Sequence, residues 1–99
     1  MSTVERVPAA EWSAWADDRD ATVLDVREPH EWQLGCLPGA VKIRMGEIVL
    51  RHTELDTGSP VLVVCRSGGR SLQVAAYLAS LGYRSANLEG GMKALGLQD

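Results

Sequence analysis

The chain has 99 residues, of which 45% are hydrophobic and 23% charged, and its formal net charge is −3 at pH 7. This length allows one domain with a buried core, so we expect residues 1–99 to form a single domain. The acidic balance argues against nucleic acid or an anionic membrane as a partner. The sequence shows neither an apolar run near twenty residues nor a signal-like start, so we expect a cytoplasmic protein without a membrane span.

Strand and helix signals alternate along the first half of the chain. Residues 4–7 predict an edge strand, and Pro8 is expected to open a helix as its first residue. Residues 22–26 alternate as a strand, and Pro29 is expected to begin a short helix before a third strand at 41–43.

The second half continues this alternation. Helical turns are expected within 45–55, and the wholly apolar run 61–64 predicts a strand covered on both faces, as in a parallel sheet. Helical spacing predicts a helix over 70–81, followed by a strand at 85–88 and a tight turn at 90–91 before a short last helix. The pattern indicates an α/β fold with a central, mostly parallel sheet of five strands and helices on both faces.

A cysteine loop follows the 61–64 strand. Within seven residues it combines one cysteine with two glycines, two arginines and two serines, in the order Cys65-Arg66-Ser67-Gly68-Gly69-Arg70-Ser71. Cys65 thus lies at the carboxyl end of a strand, where open α/β sheets bind ligands. Gly68 and Gly69 have no Cβ to block an anion, and the loop N–H groups can converge on one atom. The loop therefore predicts a cradle for an anion or a thiolate.

The following helix helps to activate Cys65. A free thiol with a pKa of ~8.5 is only about 3% ionised at pH 7, and lowering the pKa to ~6 requires roughly 3.4 kcal/mol. Two or three amides at about 1.5–3 kcal/mol each, with a helix N-terminus at about 0.3–2 kcal/mol, supply this without a neighbouring base. The alternative is a buried structural cysteine before an ordinary strand-to-helix turn.

The loop resembles the active-site loop of single-domain rhodaneses, the thiosulfate sulfurtransferase family. The segment 24–40 resembles the first signature of that family, and Leu88-Glu89-Gly90-Gly91-Met92 resembles the segment after its last strand. The chain departs from the family at Cys36, where histidine is usual, and at Leu95, where tryptophan is common.

This resemblance implies a rhodanese-like domain that transfers sulfane sulfur by double displacement. The Cys65 thiolate would take sulfur from thiosulfate or a similar small anionic donor, and the Cys65 persulfide would pass it to cyanide, a thiol or a protein such as thioredoxin or a sulfur-carrier protein. One alternative is a persulfide relay that depends on a partner protein. Another is a phosphatase or arsenate reductase, whose loops hold one more residue than the four between Cys65 and Arg70.

The loop side chains are expected to contact the donor. Arg66 and Arg70 are predicted to hold an anionic donor, although Arg66 is the more inclined of the two to face outward and Arg70 has the alternative of a solvent-exposed or strand-bridging position. Ser67 and Ser71 are predicted either to donate hydrogen bonds to the sulfur or to loop carbonyls, or to cap the helix.

Other polar residues complete the candidate site. Asp25 is expected to anchor loop amides or an arginine, and Arg27 to contact the donor or to form a structural pair. Cys36 is either a small filler or a resolving thiol for a regulatory disulfide. The histidines have no spacing typical of zinc ligands, and nucleotide-binding motifs are absent, so we expect neither a metal nor an organic cofactor.

Overall fold

The computed structural model describes residues 3–99, and it forms the predicted alternation of strands and helices. The five strands are β1 (Glu5–Pro8), β2 (Thr22–Asp25), β3 (Val41–Lys42), β4 (Val61–Val64) and β5 (Ser85–Glu89). The five α-helices are α1 (Trp12–Arg19), α2 (Pro29–Trp32), α3 (Ile48–Arg51), α4 (Gly69–Ser80) and α5 (Gly91–Ala94).

The five strands form one sheet in the order β1-β5-β4-β2-β3, and every neighbouring pair is parallel. The four residues of β4 are fully buried, because this strand lies at the centre of the sheet. The predicted α/β fold with a parallel five-stranded sheet is therefore confirmed.

Hydrophobic layers cover both faces of the sheet. On one face Val74 and Leu78 of α4 pack with Val61 and Val63 of β4. On the other face Ala16 of α1 and Met92 of α5 pack against the remaining side chains of β4. Since the helices cover both faces, the carboxyl ends of the parallel strands provide the edge at which polar loops gather. Within residues 3–99, none of the helices has the length and apolar character needed to cross a bilayer.

Two of the predicted elements differ in detail. Pro8 ends β1 instead of opening a helix, because its ψ of 141° keeps the chain extended and the edge strand tolerates a residue without an N–H group. A short 3-10 turn, Ala9–Glu11, then leads into α1. The helical region expected within 45–55 is divided into the 3-10 turn Met45–Glu47, the single turn of α3 and a second 3-10 turn, His52–Glu54.

Candidate active site

The Cys65 thiol lies in a polar cradle formed by the loop between β4 and α4. The Gly68 N–H group donates to Sγ over 3.1 Å, and the hydroxyl of Ser71 lies 3.2 Å from Sγ. Gly68 has a φ of +105°, which a side chain rarely allows, so glycine is what lets its N–H group turn towards the sulfur. Cys65 itself is only 1% exposed, so its sulfur can be reached only by a small group or by a chain end.

These contacts set the ionisation of Cys65. Burial raises the pKa of the thiol, but hydrogen bonds from the Ser71 hydroxyl and from the N–H groups of Ser71, Gly68 and Ser67 lower it further than burial raises it. The pKa of Cys65 therefore lies below its ordinary value, so the thiolate is more populated than it would be in a free cysteine at the same pH. The dipole of α4 acts in the same direction, since its N-terminal turn faces the sulfur.

The loop glycines and serines have different environments. An added Cβ at Gly69 would meet no atom within 4 Å, so this side of the loop is open. The Ser67 side chain is exposed, whereas Ser71 is fully buried and contacts the sulfur instead of capping the helix.

A buried asparagine that the sequence analysis did not single out supports the same loop. Asn87 of β5 is 2% exposed, and its Oδ1 accepts a hydrogen bond of 2.5 Å from the Ser71 hydroxyl. Its Nδ2 donates to the carbonyl oxygen of Gly68 over 3.2 Å and to the Glu89 carboxylate over 3.1 Å. A signal was available: residues 85–88 are predicted as a strand of a covered sheet, and an amide buried in such a strand needs polar partners.

Arg70 forms an ion pair with Glu31 of α2. Its two terminal nitrogens lie 2.7 and 2.9 Å from the two oxygens of that carboxylate. Hydrogen bonds from Arg70 hold the pKa of Glu31 well below its usual range, against the opposing effect of burial. Arg70 thus lies at the loop, as predicted from its position in the sequence, but much of its charge is balanced by Glu31.

Asp25 and Arg27 form a fully buried ion pair. The shortest contact, Nη2 to Oδ2, is 2.7 Å, and both side chains are 0% exposed. The remaining Arg27 donors bond to the main-chain oxygens of Glu31 and Gly35 and to the side chain of Gln98. Contact of Arg27 with a donor does not fit this placement, because its guanidinium is enclosed and its hydrogens are engaged. Asp25 anchors an arginine, one of the two roles expected for it.

Arg66 and Cys36 lie outside this buried pair. Arg66 is exposed and its Nε donates to the main-chain oxygen of Asp99. Cys36 is partly buried, with Sγ 3.9 Å from Nη2 of Arg27 and 3.5 Å from the carbonyl oxygen of Trp32. Both cysteines carry free thiols, so the structure contains no Cys36–Cys65 disulfide.

The N-terminal turn of α5 holds the cysteine loop through two backbone hydrogen bonds. The N–H group of Met92 donates to the Cys65 carbonyl over 2.9 Å, and that of Lys93 to the Arg66 carbonyl over 2.8 Å. A Cβ on Gly91 would lie 2.5 Å from both carbonyl oxygens, and φ at Gly91 is +61°. The turn at 90–91 is a tight turn before the last helix, and its second glycine allows this close approach.

Two further parts of the structure concern metal ligands and a cavity away from Cys65. Within the described part of the chain, no three His, Cys, Asp or Glu side chains are grouped as metal ligands would be. A cavity of about 910 Å³ lies beside the amino end of β2, and its lining includes Trp12, Asp20 and Pro38. It contains no residue of the cysteine loop, so it is not part of this site.

The chain is similar to known proteins both in sequence and in structure. Residues 8–97 match the rhodanese-like domain. A sulfurtransferase of Allochromatium vinosum is 41% identical over 78 residues, which are 78% of this chain and 73% of that protein. Thiosulfate sulfurtransferase GlpE of Pseudomonas fluorescens is 32% identical over 96 residues, which are 94% and 85% of the two proteins. The crystal structure of SSP1007 from Staphylococcus saprophyticus has a TM-score of 0.87 and 32% identity, and the match covers 95% of each chain.

Fold, loop and relatives agree with one another. The matched region includes nearly the whole sheet together with the cysteine loop, and the similar proteins include sulfurtransferases. The chain belongs to the rhodanese-like domain family.

Proposed function

We propose that this protein is a sulfurtransferase that carries sulfane sulfur as a persulfide on Cys65. The observation that carries the proposal is the convergence of the Gly68 N–H group and the Ser71 hydroxyl on Sγ, at 3.1 and 3.2 Å. These groups stabilise negative charge at the sulfur without needing a base, as preorganised donors do at other sites of developing charge.

The reaction has two displacements. The Cys65 thiolate attacks the outer sulfur of thiosulfate, a new S–S bond forms, the S–S bond of the donor breaks, and sulfite leaves with the electron pair. The nucleophile of an acceptor then attacks the outer sulfur of the persulfide, and the Cys65 thiolate leaves. Between the two displacements, the outer sulfur would lie in the open space beside Gly69, where the amides of the loop from Ser67 to Gly69 would hold it.

The donor is proposed to bind at the rim through arginine. Arg66 is exposed, and among residues 3–99 only the main-chain oxygen of Asp99 accepts a hydrogen bond from its guanidinium, through Nε, so its terminal nitrogens are left to bind an anion. Arg70 contributes a weaker field, because Glu31 balances much of its charge. We therefore assign the donor contact mainly to Arg66 and give Arg70 the additional task of holding the loop to α2.

The acceptor is proposed to be a small thiol or a protein that presents one, such as thioredoxin or a sulfur-carrier protein. The 1% exposure of Cys65 means that a protein acceptor must offer its nucleophile on a protruding side chain or a chain end. Free cysteines are typical of a reducing compartment, so we propose that the protein works in the cytoplasm.

The test is the intact mass of the reduced protein after incubation with thiosulfate and then with cyanide, with Cys65→Ser and Cys36→Ser variants in parallel. We expect wild type and Cys36→Ser to gain one sulfur, about 32 Da, and to lose it with formation of thiocyanate, as a covalent intermediate requires. Cys65→Ser should gain nothing. If no adduct forms with thiosulfate or mercaptopyruvate, the small-donor function is wrong, and a persulfide relay fed by a partner becomes the stronger hypothesis.

A further inference from the structure

The Ser71 hydroxyl has one hydrogen and lies between two groups that compete for it. Its oxygen is 2.5 Å from Oδ1 of Asn87 and 3.2 Å from Sγ of Cys65. Ser71 is 0% exposed, so water does not supply a substitute hydrogen. The direction in which this hydroxyl donates therefore decides whether it stabilises the thiol or the thiolate.

The chemistry of its neighbours determines the orientation of the Asn87 amide. Nδ2 faces the Gly68 carbonyl oxygen at 3.2 Å and a Glu89 carboxylate oxygen at 3.1 Å, and both of these groups only accept hydrogen bonds. A flipped amide would place Oδ1 against two acceptors, so Oδ1 must face Ser71. Because Oδ1 also only accepts, Ser71 donates to Asn87 when Cys65 is a neutral thiol, and the thiol S–H then donates to Ser71.

We propose that Asn87 is a positioning residue that competes with the Cys65 sulfur for the hydrogen of Ser71. When Cys65 loses its proton, Sγ has no hydrogen to give, and the Ser71 hydroxyl turns from Asn87 to the thiolate. When Sγ becomes bonded to a second sulfur, its charge moves to the outer atom, and the hydroxyl turns back to Asn87. Asn87 thus favours the thiol and the persulfide over the free thiolate.

This inference rests on the proposed function and deepens it. A thiolate that receives fewer hydrogen bonds is a better nucleophile, and Asn87 raises the population of the persulfide relative to that of the free thiolate. The change in the pKa of Cys65 expected on removal of Asn87 is opposite to the change expected on removal of a purely structural residue. Loss of a residue that only holds the loop would weaken the amide contacts and raise the pKa of Cys65, whereas removal of a competitor lowers it. The charged side chains nearest the network are Glu89, which accepts a hydrogen bond from Asn87, and Arg70 with its partner Glu31; Arg66 and Lys93 belong to the adjoining loop and helix. Such groups ordinarily titrate outside pH 6 to 9, so a transition in this range reports the thiol.

The experiment measures the pH dependence of Cys65 alkylation by iodoacetamide in the absence of any sulfur donor, with Cys36 resolved by peptide mass. The variants are Asn87→Leu, which keeps the branched shape and number of heavy atoms without an acceptor, Asn87→Asp, which keeps an acceptor, Ser71→Ala, and the double variant Ser71→Ala with Asn87→Leu. Far-UV circular dichroism verifies that each variant is folded.

We expect Asn87→Leu to lower the pKa of Cys65 by about one pH unit, which corresponds to one hydrogen bond to a charged atom, and Ser71→Ala to raise it. Asn87→Asp should not lower it, and the double variant should match Ser71→Ala, because the proposed effect of Asn87 on the sulfur passes through the Ser71 hydroxyl. A higher or unchanged pKa in Asn87→Leu, or an equal fall when Ser71 is already alanine, would overturn the proposal. Since no donor is present, these results are independent of whether Cys65 carries sulfur.

Discussion

Replacement of Gly91 by alanine tests how tightly the last helix holds the cysteine loop. The new Cβ would lie 2.5 Å from the carbonyl oxygens of Cys65 and Arg66, whereas ordinary contacts begin at 3.4 Å. Both oxygens belong to the backbone, so relief requires that the chain itself moves and that the hydrogen bonds from Met92 and Lys93 lengthen.

The expected loss of stability follows from these contacts. A left-handed conformation costs a non-glycine residue about 1–2 kcal/mol, and each of the two strained hydrogen bonds contributes about 1 kcal/mol. We therefore expect Gly91→Ala to lower the free energy of unfolding by about 3 kcal/mol, which is a large part of the 5–15 kcal/mol typical of a domain. For a chain of this size the midpoint of thermal unfolding should fall by about 15 °C.

Urea denaturation followed by tryptophan fluorescence measures the change, with Gly46→Ala as the matched control. Gly46 also lies in a short helical turn, but an added Cβ there meets no atom within 4 Å and φ is not positive. The control should change stability by less than about 0.5 kcal/mol. If Gly91→Ala were as stable as Gly46→Ala, the close packing of α5 under the cysteine loop would be wrong.

Three further predictions concern the charged and sulfur-bearing residues. Glu31→Gln should destabilise the protein by about 2 kcal/mol at pH 7. Because the folded pKa of Glu31 is depressed, this contribution is complete above the unfolded value of about 4.3 and declines progressively as the pH falls towards the folded pKa, so the difference between the urea midpoints of variant and wild type should shrink steadily from about pH 5 to about pH 3. Arg66→Gln should raise KM for thiosulfate several-fold in steady-state assays with little change in kcat, whereas Lys93→Gln, also exposed, should change neither. Cys36→Ser should leave the rate of transfer and the recovery from peroxide unchanged; slower recovery would instead support a resolving role for Cys36.

Local pattern was sufficient to predict most of the fold. The run 61–64 contains only apolar residues, and a strand buried on both faces is the arrangement that such a short run favours. Pro8 was assigned wrongly because the same residue suits the first turn of a helix and the end of an edge strand, and only pairing with β5 distinguishes them. The position of Cys65 followed from the strand before it and the glycines after it.

The partners of the polar residues were less accessible from the sequence. Glu31 lies 39 positions from Arg70, and Asn87 lies 16 positions from Ser71, so neither contact has a local pattern. Arg27 is near Asp25 in the chain, but its burial depends on main-chain oxygens of the following loop and on Gln98, which is 71 positions away. The spacing of residues in a strand predicts the face of the sheet on which a side chain lies, whereas its hydrogen-bond partners are set by the tertiary structure.

The pairing of arginines with carboxylates shows where the positive potential at Cys65 originates. Arg27 is matched by Asp25 and Arg70 by Glu31, so neither adds a full charge to the cradle. What remains at the sulfur are the dipoles of N–H groups, which β4, α4 and the backbone hydrogen bonds of α5 hold in place, and the Ser71 hydroxyl, whose direction can change. Fixed dipoles need little reorganisation when charge moves by one bond length, from Sγ in the thiolate to the outer sulfur in the persulfide. One cradle would therefore suit both half-reactions of the proposed transfer, and the choice among anionic donors is proposed to depend on Arg66.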